Sequence, residues 1–127
     1  MINFGEELRT AIDNVDPRLH QFFGSVVNSF IRLEMVELIR RHPEQEYAPA
    51  AVSRELGWPE DRVSEELVYL EKTGVVERCG GSNGSYHLSA DPQMADLLNK
   101  FGFLYANRSS RLLILGHLLR EGHDIRH

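Results

Sequence analysis

The sequence predicts a mainly helical α+β fold built on a helix-turn-helix followed by a two-stranded hairpin. An apolar stripe at helical spacing runs from Val63 to Leu70 and ends at Gly74. A shorter helical stretch over 49–56 precedes it across a tight turn. Two β-type runs follow, on either side of the glycine-rich segment 80–84, whose residues tolerate the backbone angles of a hairpin tip.

Three helices are predicted before this unit. Apolar residues spaced by three and four predict an amphipathic helix over 3–15. Asp16 and Pro17 then supply an N-cap and a first-turn proline for a second helical piece that reaches Phe23. The apolar pattern over 26–41 predicts a third, longer helix, which a proline-containing turn ends.

The central unit has clear local boundaries. Gly57 closes the helix over 49–56, and Pro59 suits the first position of the next helix. We expect hairpin strands over 75–79 and 85–89.

The sequence pattern of the C-terminal part is compatible with either one helix or two. Pro92 repeats the helix-start signal, and a regular apolar stripe follows it. Asn107 or Ser109 could cap a separate last helix. Alternatively, residues 93–121 form one long helix with a bend near Gly102 or Asn107.

Length and composition bound the kind of protein. The chain has 127 residues, of which 42% are hydrophobic and 26% charged, as in soluble globular proteins. We expect one domain over 1–127, with N-terminal helices in 1–28, a core unit in 29–89 and C-terminal helices in 90–127. No apolar run is long enough to cross a bilayer, and the start lacks a basic leader. The single cysteine, Cys79, fits a reducing compartment, so we expect a cytoplasmic protein without contact to a membrane.

Several stretches together carry a family resemblance. They are residues 32–39, 51–57, 63–67, Leu70, 74–76 and 86–88. Through them the chain resembles the winged helix-turn-helix regulators of the ArsR and MarR kind over roughly residues 29–89. The resemblance implies a winged helix-turn-helix fold, DNA binding in transcription regulation, and a homodimer formed by the flanking N- and C-terminal helices.

On this resemblance the second helix of the motif and the wing hairpin would carry the contacts. The candidate residues, for DNA or for a docking partner, are Arg54, Arg62, Ser64, Glu65, Val68, Tyr69, Lys72, Arg78, Asn83 and His87.

Charge is poorly matched to DNA. Lys and Arg number 14 against 19 Asp and Glu, which gives a net charge of −5. Residues 60–72 hold five acids and two bases, a local charge of −3. Where the resembling regulators commonly carry basic or polar side chains, this chain has Glu65 and Glu66. Duplex DNA is a dense polyanion, so this pattern weakens the expectation of DNA binding.

Two other interpretations of the same helix therefore stay open. In one, it is a protein-interaction module whose acidic surface, with exposed Val68 and Tyr69, docks a basic protein. In the other, those two side chains pack under the hairpin or against the turn at Trp58, and the acids only keep the protein soluble.

The last helix indicates a partner subunit. Its aliphatic residues cover nearly the whole circumference, which is typical of a helix buried on every side. The candidate dimer residues are Leu8, Ile12, Leu112, Leu115, Leu118 and Leu119. Alternatively, the helix folds back and is buried within one chain.

No motif for catalysis, a cofactor or a metal is present, so we expect none of these. His123 and His127 stand at the spacing of a zinc-binding helix, but Gly122 argues against a helix there. Aromatic residues lie in two groups, and they either enclose a small-molecule effector or, more simply, pack in the core. They are Phe22, Phe23 and Phe30, and Phe101, Phe103 and Tyr105.

Overall fold

The computed structural model describes residues 4–80 and 84–121, which form seven α-helices and one two-stranded antiparallel sheet. In chain order the elements are α1 (Phe4–Asp13), α2 (Leu19–Ser25), α3 (Phe30–Arg41), α4 (Pro49–Leu56), α5 (Glu60–Lys72), β1 (Val76–Arg78), β2 (Tyr86–Leu88), α6 (Pro92–Ala106) and α7 (Arg108–Glu121). The prediction of a mainly helical α+β chain with a small hairpin is confirmed.

The turn between α1 and α2 is held to α6 by a cluster of four charges. The backbone N–H of Arg18 donates to Asp16 Oδ1 at 3.0 Å, and its guanidinium reaches Asp16 and Asp96 at 2.6 Å each. Lys100 lies 3.1 Å from Asp16 and 3.3 Å from Asp96. The hydrogen bonds from Arg18 hold the pKa of the Asp16 carboxyl well below its usual range.

The third helix is shorter than the predicted span of 26–41, because α3 begins only at Phe30. Ser29 Oγ accepts a hydrogen bond from the backbone N–H of Arg32 at 3.3 Å and caps the helix. Val27 is fully buried in the bend between α2 and α3. Its apolar side chain gave the sequence a helix-like pattern, although the chain turns there.

The pair formed by α4 and α5 has the boundaries that the sequence predicted, except that Pro59 is the N-cap of α5 and not its first residue. Gly57 ends α4 in the left-handed conformation with φ of 82°. Ser53 Oγ donates to the carbonyl of Trp58 at 2.6 Å, which fixes the tight turn. Gly74 has φ of 87° just after α5 and turns the chain into the hairpin.

The hairpin strands are one residue shorter at each end than predicted. β1 and β2 pair in the register Val76 to Leu88, Glu77 to His87 and Arg78 to Tyr86.

Tyr47 adds a contact to this sheet that the sequence analysis missed. It exchanges two backbone hydrogen bonds with Tyr86, at 2.7 and 2.9 Å, so the link before α4 runs along the outer edge of β2. Its side chain is buried, and the hydroxyl donates to the carbonyl of His42 at 2.5 Å. Burial raises the pKa of Tyr47 to about 12.

The C-terminal part consists of two helices, which settles the alternative of one long helix over 93–121. Asn107 is extended, with ψ of 125°, and therefore breaks the helix. Its Oδ1 accepts from the backbone N–H of Ser110 at 3.1 Å and caps α7. Arg111 donates to the carbonyl of Tyr105 at 3.2 Å and so satisfies the end of α6.

One hydrophobic core receives side chains from all nine elements, with α1 packed on α7 and α3 packed on α6. Its largest fully buried members are Tyr47, Phe101, Leu19, Ile31, Met35, Ile39, Leu67, Leu70, Leu98, Ile114, Leu118 and Val27. Phe101 contacts Phe22 and Phe23 at centroid distances of 5.8 and 5.6 Å, so these aromatics pack in the core. Phe103, by contrast, is 71% exposed. Within the described ranges, none of the helices has the length and apolar character needed to cross a bilayer.

Close contact between α3 and α6 depends on Gly102. This residue is buried, and a Cβ placed on it would lie 2.6 Å from Cδ and 2.8 Å from Cζ of Arg40. Arg40 cannot move freely, because its guanidinium donates to both carboxylate oxygens of Glu37 at 2.7 and 2.9 Å. The missing side chain therefore leaves room for this ion pair.

We expect Gly102→Ala to lower the free energy of unfolding by about 1–2 kcal/mol in urea titrations. Overpacking costs about 1–3 kcal/mol, whereas replacing a helical glycine gains up to about 1 kcal/mol. Gly24→Ala is the matched control, since a Cβ there meets nothing within 4 Å, and it should be stabilising. In an Arg40→Ala background Gly102→Ala should stabilise as well. Equal gains at both glycines in the wild-type background would show that Arg40 does not restrict this position.

Candidate interaction surface on α5

An exposed stripe runs along α5 on the side opposite its buried residues. Val63, Leu67 and Leu70 are fully buried and define the inner face of the helix. Four residues on the opposite side of the helix are all exposed. They follow one another at intervals of four, three and four positions, which places them on one face. These residues, called the α5 stripe below, are Asp61, Glu65, Val68 and Lys72.

Glu66 is not part of this surface, which corrects the sequence-based count of surface acids. It is only 8% exposed, and its Oε1 accepts from Nε of Arg32 at 2.6 Å. Arg62 lies 3.7 Å from its other oxygen. Since a buried carboxylate requires such partners, Glu66 belongs to the joint between α3 and α5. The exposed acids of α5 are thus Glu60, Asp61 and Glu65.

Tyr69 is held by the N-terminal helices and is not a free contact residue as predicted. Its hydroxyl donates a short hydrogen bond to the carbonyl of Ser25 at the end of α2. The guanidinium of Arg32 lies 3.6 Å from its ring centroid. The same guanidinium donates to Asn28 Oδ1 at 2.7 Å. The alternative that this tyrosine packs under the hairpin or against the turn after α4 is therefore also wrong.

Two predicted cationic contacts already have acidic partners inside the chain. Arg62 is paired with Glu66, and its guanidinium also lies 5.8 Å from the ring centroid of Trp58. Arg78 donates to Glu71 at 3.1 Å, and this hydrogen bond raises the pKa of the guanidinium. The charge of either arginine is therefore partly neutralised before it meets a phosphate.

Three of the four remaining predicted contact residues lie on α4, on α5 and in β2. Arg54, in the last turn of α4, is exposed and, like Lys72, makes no ion pair within the described part of the chain. Ser64 is half-buried on α5. His87 lies in β2 with Nε2 at 4.0 Å from Glu77. Asn83 lies outside the described residues.

The predicted dimer residues divide into two groups. Leu8, Ile12 and Leu118 are buried inside the chain, where α1 packs on α7, so they are not the surface that the prediction required. Leu112 and Leu119 are 53% and 58% exposed. Together with the half-buried Leu115 they recur at positions i, i+3 and i+7 of α7, and we call them the α7 leucine stripe.

No metal site is found in the described part of the chain, and comparison with known proteins points to no other functional site. Within residues 4–80 and 84–121, there is no group of three or more His, Cys, Asp or Glu side chains arranged to hold a metal ion. The predicted tail histidines, His123 and His127, lie outside these ranges. No protein-family model, curated protein or solved structure matches this chain.

We expect Arg32→Leu to lower the free energy of unfolding by about 2 kcal/mol or more, because it leaves Glu66 buried beside only the more distant Arg62. Chemical denaturation measures this value. Arg54→Leu removes an exposed arginine without an ion pair and should change stability by less than about 0.5 kcal/mol. The double variant Arg32→Leu with Glu66→Leu should recover part of the loss. Equal effects of the two single arginine variants would contradict a structural role for the pair.

Proposed function

We propose that this chain is a winged helix-turn-helix regulator of transcription that contacts DNA through α5 and the hairpin. The observation that carries the proposal is the order of the parts: α4 and α5 pack together across a tight turn, and an antiparallel hairpin follows at once. In proteins of this type the second helix lies in the major groove, where its N-terminal half meets base edges. The corresponding half of α5 is uncovered, since Asp61 and Glu65 are exposed.

The charge distribution allows this contact but makes it weak. Because Arg32 neutralises Glu66 in the interior, α5 presents three exposed acids and one exposed base, Lys72, that has no ion-pair partner among the described residues. Arg54 adds a second cation without such a partner at the neighbouring end of α4. These two side chains would bind phosphates, and Ser64 and the stripe would face the bases. The proposed protein is a binding protein of the cytoplasm and not an enzyme.

A second candidate is a protein-interaction module with the same fold that does not read DNA. It is favoured by the composition of the α5 stripe, in which Asp61 and Glu65 precede an exposed apolar side chain, Val68. An apolar anchor beside like charges is typical of a surface that binds a basic protein. Winged helices serve both functions, so the ligand of α5 decides between them.

Reversing one acid of the stripe tests the DNA proposal. Glu65→Lys should tighten binding to a mixed-sequence duplex at low salt by about tenfold, because it replaces a repulsion of roughly 1 kcal/mol by an attraction. The salt dependence of binding should also become steeper. Fluorescence anisotropy over a series of salt concentrations measures both quantities.

The matched control is Glu7→Lys, which changes an exposed glutamate of α1 by the same charge. It should affect binding less than Glu65→Lys does. Equal effects would mean that α5 is not the DNA-binding face. If neither wild type nor Glu65→Lys is retained on DNA at low salt, the protein-interaction module becomes the better proposal.

We also propose that the protein is a homodimer joined through the α7 leucine stripe. Three of the four large hydrophobic side chains that are exposed in the described part of the chain lie on α6 and α7, namely Phe103, Leu112 and Leu119. The opposite side of α7 is already filled, since Ile114 and Leu118 are fully buried. A second copy would cover the remaining apolar side, as a helix with apolar residues on both faces requires.

The double variant Leu112→Asp with Leu119→Asp should be monomeric, because it places charges in the proposed interface. Sedimentation equilibrium of both proteins over a range of concentrations measures the mass. Asn99→Asp, an exposed change on α6, should leave the wild-type mass unchanged. A wild-type protein that is monomeric at every concentration would exclude the dimer, whatever its behaviour toward DNA.

A further inference from the structure

A groove of about 490 Å³ lies between α3, α4 and the end of α6. Its apolar walls are Leu33, Leu38 and Leu56, and the ring of Tyr105 lies beside them. That ring is held in place, because it is stacked on Phe101 at a centroid distance of 5.7 Å. The volume falls within the range of small-molecule sites, which are mostly apolar with a few polar groups.

The polar groups of the groove are mainly acidic. Glu34, Glu37 and Glu55 line it, together with Arg41 and His42. Burial raises the pKa of the Tyr105 hydroxyl, and the negative charges of Glu37 and Glu34 raise it further, although Arg111 acts in the opposite direction. Three carboxylates and one arginine in the lining thus give the groove an excess of negative charge.

The three carboxylates differ in how far they are already satisfied. Glu37 accepts both hydrogen bonds of Arg40, which does not line the groove. Glu34 accepts one weak hydrogen bond, from the indole N–H of Trp58 at 3.3 Å. Glu55 is exposed and has no ion pair within the described ranges. Glu34 and Glu55 therefore keep acceptor capacity for a ligand.

We propose that this groove binds a small organic ammonium ion whose apolar body lies against the leucines and Tyr105. Its ammonium group donates to Glu34, with Glu55 as the second carboxylate. The ring of Tyr105 contributes apolar contact only, because the guanidinium of Arg111 already lies 6.0 Å from its centroid. Arg41 also lines the groove and acts against the ammonium group as a like charge, so it lowers the preference for a cation over an anion of the same size. This site is independent of whether α5 contacts DNA.

The experiment uses 2-phenylethylammonium as the probe, with the neutral 2-phenylethanol and the anionic phenylacetate as matched ligands. Titrations are followed by backbone amide shifts in two-dimensional NMR and by the midpoint of thermal unfolding. The ammonium probe should give saturable shifts confined to α3, α4 and the end of α6, and it should raise the unfolding midpoint. The other two ligands should bind at least about tenfold more weakly.

Two variants assign the polar contacts. Glu34→Gln removes the charge but keeps an acceptor for Trp58, and it should weaken binding of the ammonium probe by about tenfold. Arg41→Gln should strengthen it several-fold by removing the repulsion. Glu60→Gln, an exposed change on α5, is the control and should have no effect. Equal binding of the ammonium and the alcohol, shifts outside the groove, or unchanged affinity in Glu34→Gln would each overturn the proposal.

Discussion

The arrangement of the helices around α5 depends on the guanidinium of Arg32. This group donates to Glu66 and Asn28 and lies over the ring of Tyr69, so it joins α3 to α5 and to the segment after α2. Taking both charges of such a pair out of water is costly, and replacement by apolar residues is often neutral. A buried pair is therefore weak evidence of net stabilisation, although removing only one of its partners is costly. Here we infer that it fixes the rotation of α5 about its axis.

That rotation determines which residues of α5 reach solvent. Once Glu66 points toward Arg32, the residues half a turn away must face outward, and these form the α5 stripe. The surface is consequently less acidic than the composition of the helix indicates, because two of its five acids, Glu66 and Glu71, are paired with arginines. Arg62 and Arg78 likewise form ion pairs with carboxylates. The net charge of a surface therefore cannot be obtained by summing the charged residues along the sequence.

The sequence was sufficient for the two boundaries that are set by a glycine after a helix. Gly57 and Gly74 were placed correctly because positive φ angles favour glycine at the end of a helix. The pairing of Tyr47 with Tyr86 and of Arg32 with Glu66 was missed, since each joins residues more than 30 positions apart. Local periodicity carries no information about such partners.

Prediction of how a helix is buried is limited in the same way, because it also depends on distant parts of the chain. An apolar pattern shows that a side chain avoids water, but it does not show whether the cover belongs to the same chain. Leu118 and Leu119 are adjacent residues of the same type, yet the first is fully buried and the second is 58% exposed. What separates them is the packing of α1 and α6 on one side of α7.

The two exposed stripes differ in the kind of contact they can make. The α7 leucine stripe is apolar, and such surfaces are typical of stable subunit contacts from which water is excluded. The α5 stripe carries charges of both signs, and Val68, its one apolar residue, is only 36% exposed. Binding at a surface of that kind is governed by charge and is sensitive to salt. For the proposed dimer and the proposed contact of α5, we therefore expect a permanent association at α7 and a reversible one at α5.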